Sequence, residues 1–229
     1  MNDHLAKDTW IVFRIMAEFV EGFETLAPIF PAVSVFGGSR VSRSSPVYRQ
    51  AEKIAYLLTE NGFNVITGGG PGAMEAVNRG AERGAGRSIG LNIKLPDEQA
   101  ANRHAELTLD FDYFFVRKVM FVKYACAFVG LPGGYGTLDE MFECLTLKQT
   151  QKIKNFPVVL FGREYWSGLV DWLRDRVLAE GLISRHELDL FTVTDTPEEV
   201  CDVIVKSWQQ RQREDTEAAR TPTRAVKVG

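Results

Sequence analysis

The chain has 229 residues, of which 45% are hydrophobic and 25% charged, with a formal net charge of −3. That balance supplies one sizeable core and excludes disordered, collagen-like and small disulfide-scaffold architectures. With a pI of about 5.7, a broad basic face for nucleic acid is not expected, although a local anion pocket is compatible with it.

Trp10 to Leu26 reads as an amphipathic helix, because Ile11, Ile15, Phe19 and Phe23 recur at four-residue steps. Ala32–Phe36 is a short buried strand that runs into Gly37-Gly38-Ser39-Arg40. Pro46 opens a helix with Val47, Ala51, Ile54, Ala55 and Leu58 on one face, stopped by Asn61-Gly62. Val65–Thr67 is the next strand, followed by Gly68-Gly69-Gly70-Pro71-Gly72 and a helix from Ala73 to Arg83. Ser88–Ile93 is a third strand. Tyr113–Tyr124 reads as helix, Ala127–Leu131 as strand, and Pro132–Thr137 as a glycine loop entering the helix Leu138–Gln149. Pro157–Phe161 (strand), Tyr165–Glu180 (helix), Phe191–Val193 (strand) and Pro197–Gln210 (helix) follow. Strands alternating with helices of this length predict an α/β, Rossmann-like parallel sheet flanked by helices, with an extra helix at each end. Residues 1–208 are expected to form a single domain. Residues 209–229 are polar, with only alanine and valine as apolar side chains, and are expected to be a mobile tail.

The three cysteines (Cys126, Cys144, Cys201) are far apart and form no CxxC, and only three histidines exist, which argues against a zinc site. No apolar run approaches the roughly 18 residues of a membrane span, and the N-terminal segment carries Asp3 and Asp8 where a secretory signal would be basic. A cytoplasmic protein without membrane or nucleic-acid partners is expected.

Chemistry concentrates in three loops, GGSR, GGGPG and PGGYGT, each between a strand and a helix. In an open parallel sheet such loops gather at the carboxyl edge, where free helix N-terminal N–H groups attract phosphate and glycine permits close backbone approach. Gly68–Ala73 matches G-x-G-x-x-A, but it follows the second strand, and Asn92 stands where a ribose-binding acid would be needed. No GxxxxGK[ST] occurs. A nucleoside monophosphate or a sugar phosphate fits best.

Two residues invite two readings each. Thr137 and Glu140 could form a capping box, with Thr137 as N-cap; alternatively Glu140 lies one turn from a phosphate loop, where a carboxylate can orient water or stabilise a cationic sugar. Arg117, beside Lys118 in the apolar stretch Phe114–Phe121, could merely snorkel to solvent, or face the cleft as a fork for phosphate or a polariser of a leaving base. The aromatic stretch Phe111–Phe121 itself reads either as core or as a subunit interface.

Arg117-Lys118-Val-Met120 together with Pro132-Gly-Gly-Tyr-Gly-Thr-Leu-Asp-Glu140 resembles the RKxxM and PGGxGTxxE signatures of the Lonely Guy (LOG) family of cytokinin-activating phosphoribohydrolases, often labelled lysine decarboxylases. The resemblance extends from about Val33 to Phe161. It implies hydrolysis of the N-glycosidic bond of nucleoside 5′-monophosphates, cytokinin ribotides or AMP, by a homodimer or a dimer of dimers that needs no metal or organic cofactor. Arg117 and Glu140 would be the catalytic pair. The substrate and its phosphate would be held by Gly133, Gly134, Tyr135, Gly136, Thr137, Leu138 and Asp139, with Ser39, Gly69, Gly70, Lys118 and Thr146 nearby and Glu98 as the candidate base contact. A non-catalytic nucleotide-binding or sensor module of the same fold is the alternative. Pyridoxal chemistry on a lysine is not expected, since Lys118 is the only lysine near the loops and sits on a helix beside Arg117.

Overall fold

The computed structural model describes residues 3–95, 102–153 and 156–220. Its frame is a seven-stranded sheet, parallel throughout, in the order β4-β3-β2-β1-β5-β6-β7. The strands are β1 (Ala32–Phe36), β2 (Asn64–Thr67), β3 (Ser88–Ile93), β4 (Leu107–Phe111), β5 (Ala125–Gly130), β6 (Val158–Phe161) and β7 (Thr192–Thr194). Every residue of β1 and β5 is buried, as expected for central strands covered on both faces.

Helices α2 (Pro46–Glu60), α3 (Ala73–Glu82) and α7 (Pro197–Arg220) cover one face, and α1 (Asp3–Leu26), α4 (Phe114–Lys123), α5 (Tyr135–Gln149) and α6 (Arg163–Trp172) cover the other. The first layer packs small and branched side chains, Ala51, Ala55, Ala76 and Val77 against Val33, Val65 and Val129. The second is aromatic: Phe36 meets Phe121 edge-on at 5.1 Å and stacks on Phe128 at 5.8 Å. Among the described residues no helix is long and apolar enough to cross a membrane.

Several expectations shift. The strand β4 lies in a segment to which the sequence reading assigns no element. It is short, and only Leu109 and Phe111 are buried along it. Helix α1 begins at Asp3 rather than Trp10. Its inner face is Ile15, Phe19, Gly22 and Leu26, while Phe23 is partly exposed. The closing helix continues to Arg220, so a tail does not begin at residue 209. Polar composition suggested otherwise, but i,i+4 pairs (Gln210–Glu214 at 2.9 Å, Arg211–Asp215 at 3.9 Å) and the packing of Arg211 on Phe30 and Trp208 support the helix. Residues 221–229 lie outside the described residues.

Two helix–helix approaches depend on glycine. A Cβ on Gly22 would sit 2.6 Å from the Met120 methyl carbon, so α1 lies tightly on α4; the Glu18 carboxylate also accepts the Asp112 N–H at 2.8 Å just before α4 begins. A Cβ on Gly80 would sit 2.0 Å from the backbone oxygen of Glu52 in α2. Backbone cannot retract as a flexible side chain can, so Gly80→Ala is expected to part α2 from α3 and lower stability by about 1–3 kcal/mol. Urea unfolding of the variant checks this.

Candidate active site

The chain leaves β1 toward β2 on one side and reaches β5 on the other, so the carboxyl ends of β1 and β5 flank the point where strand order reverses. In open α/β sheets that crevice binds ligands. The three glycine loops meet there and hold one another through the backbone. Gly38 N–H donates to the Pro132 carbonyl at 3.0 Å, Leu131 N–H to the Phe36 carbonyl at 2.8 Å, and Ala73 N–H to the Gly38 carbonyl at 3.0 Å. Gly72, at φ +69°, has no room for a Cβ, which would lie 2.5 Å from the Ser39 carbonyl oxygen. Arg43, beyond the first loop, donates to the buried Glu75 at 2.6 Å and ties that loop to α3.

Helix α5 starts at Tyr135 with Gly134 as N-cap, about one turn earlier than the glycine pattern suggests. This removes the capping-box reading: Thr137 is the third helical residue and makes no cap bond. The early start also changes the chemistry. The first-turn N–H groups of Tyr135, Gly136 and Thr137 have no intrahelical acceptor, and they open beside the β1 loop. Tyr135 is 92% exposed, whereas Thr137 is buried against Gly133.

Glu140, one turn further along, is 6% exposed and belongs to a charge cluster that joins α4 to α5. Lys118 Nζ lies 2.8 Å from Asp139, 2.7 Å from Glu143 and 3.7 Å from Glu140. Burial raises the Glu140 carboxyl to about 7, against the opposing pull of Lys118 and Arg117 and with help from Asp139 and Glu143. Burial also works against the Lys118 ammonium, but its bonds to Asp139 and Glu143 outweigh that and hold it up at about 12. A lysine so firmly protonated is the reverse of what imine formation needs.

Arg117 lies on the same helix, its guanidinium carbon 5.3 Å from the Phe114 ring and 5.5 Å from the Phe121 ring. One terminal nitrogen donates to the Leu91 carbonyl at 3.4 Å, and a Cβ on Gly68 would lie 3.7 Å from that nitrogen. The buried Nε has no hydrogen-bond partner among the described residues. Burial lowers the Arg117 pKa, and Glu140 and Asp139 act in the opposite sense. Arg117 is thus a half-buried cation whose buried Nε leaves donor capacity over, rather than a snorkelling surface residue. The aromatic stretch around it divides, with Phe111 and Phe121 buried and Phe114 and Phe115 half exposed.

The other expected residues distribute unevenly. Ser39 is half-buried at the loop contact with Gly72. Gly69 and Gly70 are held by Asn102, which donates its N–H to the Gly69 carbonyl at 2.9 Å and its amide to the Gly70 carbonyl at 3.0 Å. Leu138 packs into the aromatic layer. Lys118 meets carboxylates among the described residues, and Asp139 joins it from the rim. Thr146 is exposed, with its hydroxyl donating to the Phe142 carbonyl at 2.8 Å. Glu98 lies outside the described residues. Met120 follows Lys118 after one residue, where the RKxxM pattern has two, and it is fully buried against α1. Glu143 escaped the sequence reading, although its position three after Glu140 and four after Asp139 marked the same helical face.

A family model described as "Possible lysine decarboxylase" matches residues 74–204. A protein of Oryza sativa subsp. japonica named "Probable cytokinin riboside 5'-monophosphate phosphoribohydrolase" is 32% identical over 159 residues, covering 68% of this chain and 63% of its own length. A cytokinin riboside 5'-monophosphate phosphoribohydrolase of Arabidopsis thaliana is 30% identical over 175 residues, covering 75% and 80% respectively. Among solved structures, the molybdenum cofactor binding protein of Rippkaea orientalis superposes with a TM-score of 0.56 at 22% identity, over 78% of this chain and 97% of that one. The molybdenum cofactor carrier protein of Chlamydomonas reinhardtii gives 0.52 at 18% identity, over 80% and 96%. These two establish the likeness of fold.

The Glu140 environment yields a stability prediction. Its carboxyl titrates near 7 in the folded chain against 4.5 as the ordinary value, so the native state loses stability from this group as pH rises from 4.5 through 7. Removing the charge in Glu140→Gln is therefore expected to stabilise the fold by about 1 kcal/mol at pH 5 and about 3 kcal/mol at pH 8. Chemical unfolding of both proteins at the two pH values measures the difference.

Proposed function

The chain belongs to the LOG family, whose sequence model carries the possible-lysine-decarboxylase description, and from that premise we propose that it hydrolyses the N-glycosidic bond of nucleoside 5′-monophosphates. Water enters, and free base and ribose 5-phosphate leave. The observation that carries this reading is the placement of buried Glu140 one turn behind a helix N-terminus at the strand-order reversal, with Arg117 on the neighbouring helix α4 beside the Gly68 loop. The names of the relatives support a cytokinin riboside 5'-monophosphate as substrate; AMP is the second candidate of the same chemical class.

In this reading the 5′-phosphate sits against the first-turn N–H groups of α5, where the helix dipole and unpaired donors favour an anion. That contact orients the ribose over Glu140. As the base departs the sugar becomes oxocarbenium-like, and a carboxylate beside C1′ stabilises the positive charge or takes a proton from the attacking water. Positive charge developing on the sugar favours the ionised form of Glu140. Arg117 supplies a fixed cation for the departing base or for the phosphate, and its stacking between Phe114 and Phe121 keeps the guanidinium in place. Lys118 neutralises Asp139 and Glu143, so that Glu140 is not crowded by two uncompensated carboxylates.

Purified protein incubated with AMP, GMP, CMP, isopentenyladenosine monophosphate and adenosine is expected to release base from monophosphates and not from adenosine. Glu140→Gln is expected to reduce that release by about 10²–10⁴-fold. For the wild type, kcat/KM is expected to rise with pH through about 7, as Glu140 in the free enzyme ionises. Tight AMP binding without base release from any nucleotide would instead select the non-catalytic nucleotide-binding module.

The assembly we propose is a homodimer that uses the outer face of α1. Trp10, Phe13, Met16 and Val20 lie along one stripe of that helix and are each more than half exposed, while its inner stripe is already packed on α4. A helix apolar on both sides is expected to be covered. Light scattering on Phe13→Glu/Met16→Glu is expected to report a smaller species than the wild type. A reducing cytoplasm suits three buried, free cysteines.

A further inference from the structure

Asn78, in the second turn of α3, is fully buried, and every hydrogen-bonding position of its side-chain amide is occupied. Its Oδ1 accepts from the Thr67 hydroxyl at 2.6 Å and from the Asn102 amide at 3.0 Å. Its Nδ2 donates to the Ser88 hydroxyl at 2.9 Å and to the Ile89 carbonyl at 3.2 Å. Such a saturated polar centre inside an apolar layer specifies one arrangement, because losing any partner leaves a buried group unpaired.

The partners of Asn78 converge on one stretch of backbone. Thr67, whose proton goes to Asn78, accepts the Gly69 N–H at 3.0 Å. Asn102 donates to the Gly69 and Gly70 carbonyls. Gly69 has φ +71°, and a Cβ there would meet Asn92 Oδ1 at 1.8 Å, so the peptide is confined on its other side as well. Gly68, next in line, borders Arg117. A buried network is thereby used to fix the exact course of a cleft loop that has no side chains of its own with which to hold its conformation.

We propose that Asn78 is a positioning residue, acting through Thr67 and Asn102 to hold the Gly68–Gly70 backbone in the conformation that receives the nucleoside monophosphate. This rests on the proposed function and extends it to residues outside the two signature segments. Neither Asn78 nor Thr67 touches substrate; both act on the loop.

The decisive variant is Thr67→Val, which keeps volume and branching and removes only the hydroxyl. Thr67→Ser retains the hydroxyl and serves as the rescue. Each is made in the Glu140→Gln background, so that AMP can be titrated calorimetrically without turnover, and thermal unfolding is recorded alongside. Thr67→Val is expected to weaken AMP binding by about tenfold while remaining folded, and Thr67→Ser to stay within about twofold of the parent. Amide exchange without ligand is expected to show Gly69 losing protection in Thr67→Val alone. A folded Thr67→Val protein with unchanged AMP affinity would overturn the positioning role, even if its melting temperature fell. A parent that does not bind AMP at all would overturn the nucleotide reading, and this inference with it.

Discussion

The parallel pairing of β1 with β5 is the constraint from which the site follows. Because the chain departs from these neighbours in opposite directions, the space beyond their carboxyl ends is crossed by no connection. Two glycine loops border that space, and they are stitched directly to each other, Gly38 N–H to the Pro132 carbonyl and Leu131 N–H to the Phe36 carbonyl. Backbone–backbone bonds at this point leave no room for side chains. Gly72, pressed on the Ser39 carbonyl, meets the same restriction. The cleft is consequently lined by peptide groups and a helix start, surfaces suited to a phosphate.

Charge enters this frame from a single pair of helices. Helices α4 and α5 flank the chain through β5, and Lys118 joins them by contacting three carboxylates of α5. The more exposed members, Asp139 and Glu143, satisfy the lysine, whose ammonium is itself buried. Glu140, the buried member, is the most distant of the three from its ammonium and keeps a carboxyl that titrates near neutrality. Two environments within five residues of one helix thus separate the carboxylates that hold the lysine from the one enclosed in the core. Helix α1 presses on the back of α4 through Gly22 and Met120, so the position of Arg117 depends on a segment that lies outside the residues matched by the family model.

Most elements were legible from periodicity and punctuation. Pro46 and Asn61-Gly62 bounded α2 well, and Ser88–Ile93 was read residue for residue. The misreadings have local causes. Short β4, with Asp110 within it and Asp112 just beyond, and with few buried positions, carried too little alternation to stand out from the aromatic run that follows. The end of α7 looked like tail because composition counts apolar residues and ignores i,i+4 pairing and the apolar stem of Arg211. Thr137 looked like an N-cap because threonine commonly is one. The helix actually begins at Tyr135, where the glycines allow the backbone to turn without any side-chain cap.

From sequence alone came the α/β class, the three glycine loops, and Arg117 and Glu140 as the pair to watch. Each was carried by local pattern: a strand followed by glycines followed by a helix, or a short signature. What the order of residues could not express was proximity across the sheet. Lys118 and Glu143 are 25 positions apart, and Asn78 and Asn102 are 24 apart; each pair meets only because parallel crossovers bring the helix faces and strand ends together. The burial that lifts the Glu140 carboxyl, the orphaned Nε of Arg117 and the saturated amide of Asn78 are all properties of packing. They depend on what lies within a few ångströms in space, and a linear pattern records only what lies within a few residues along the chain.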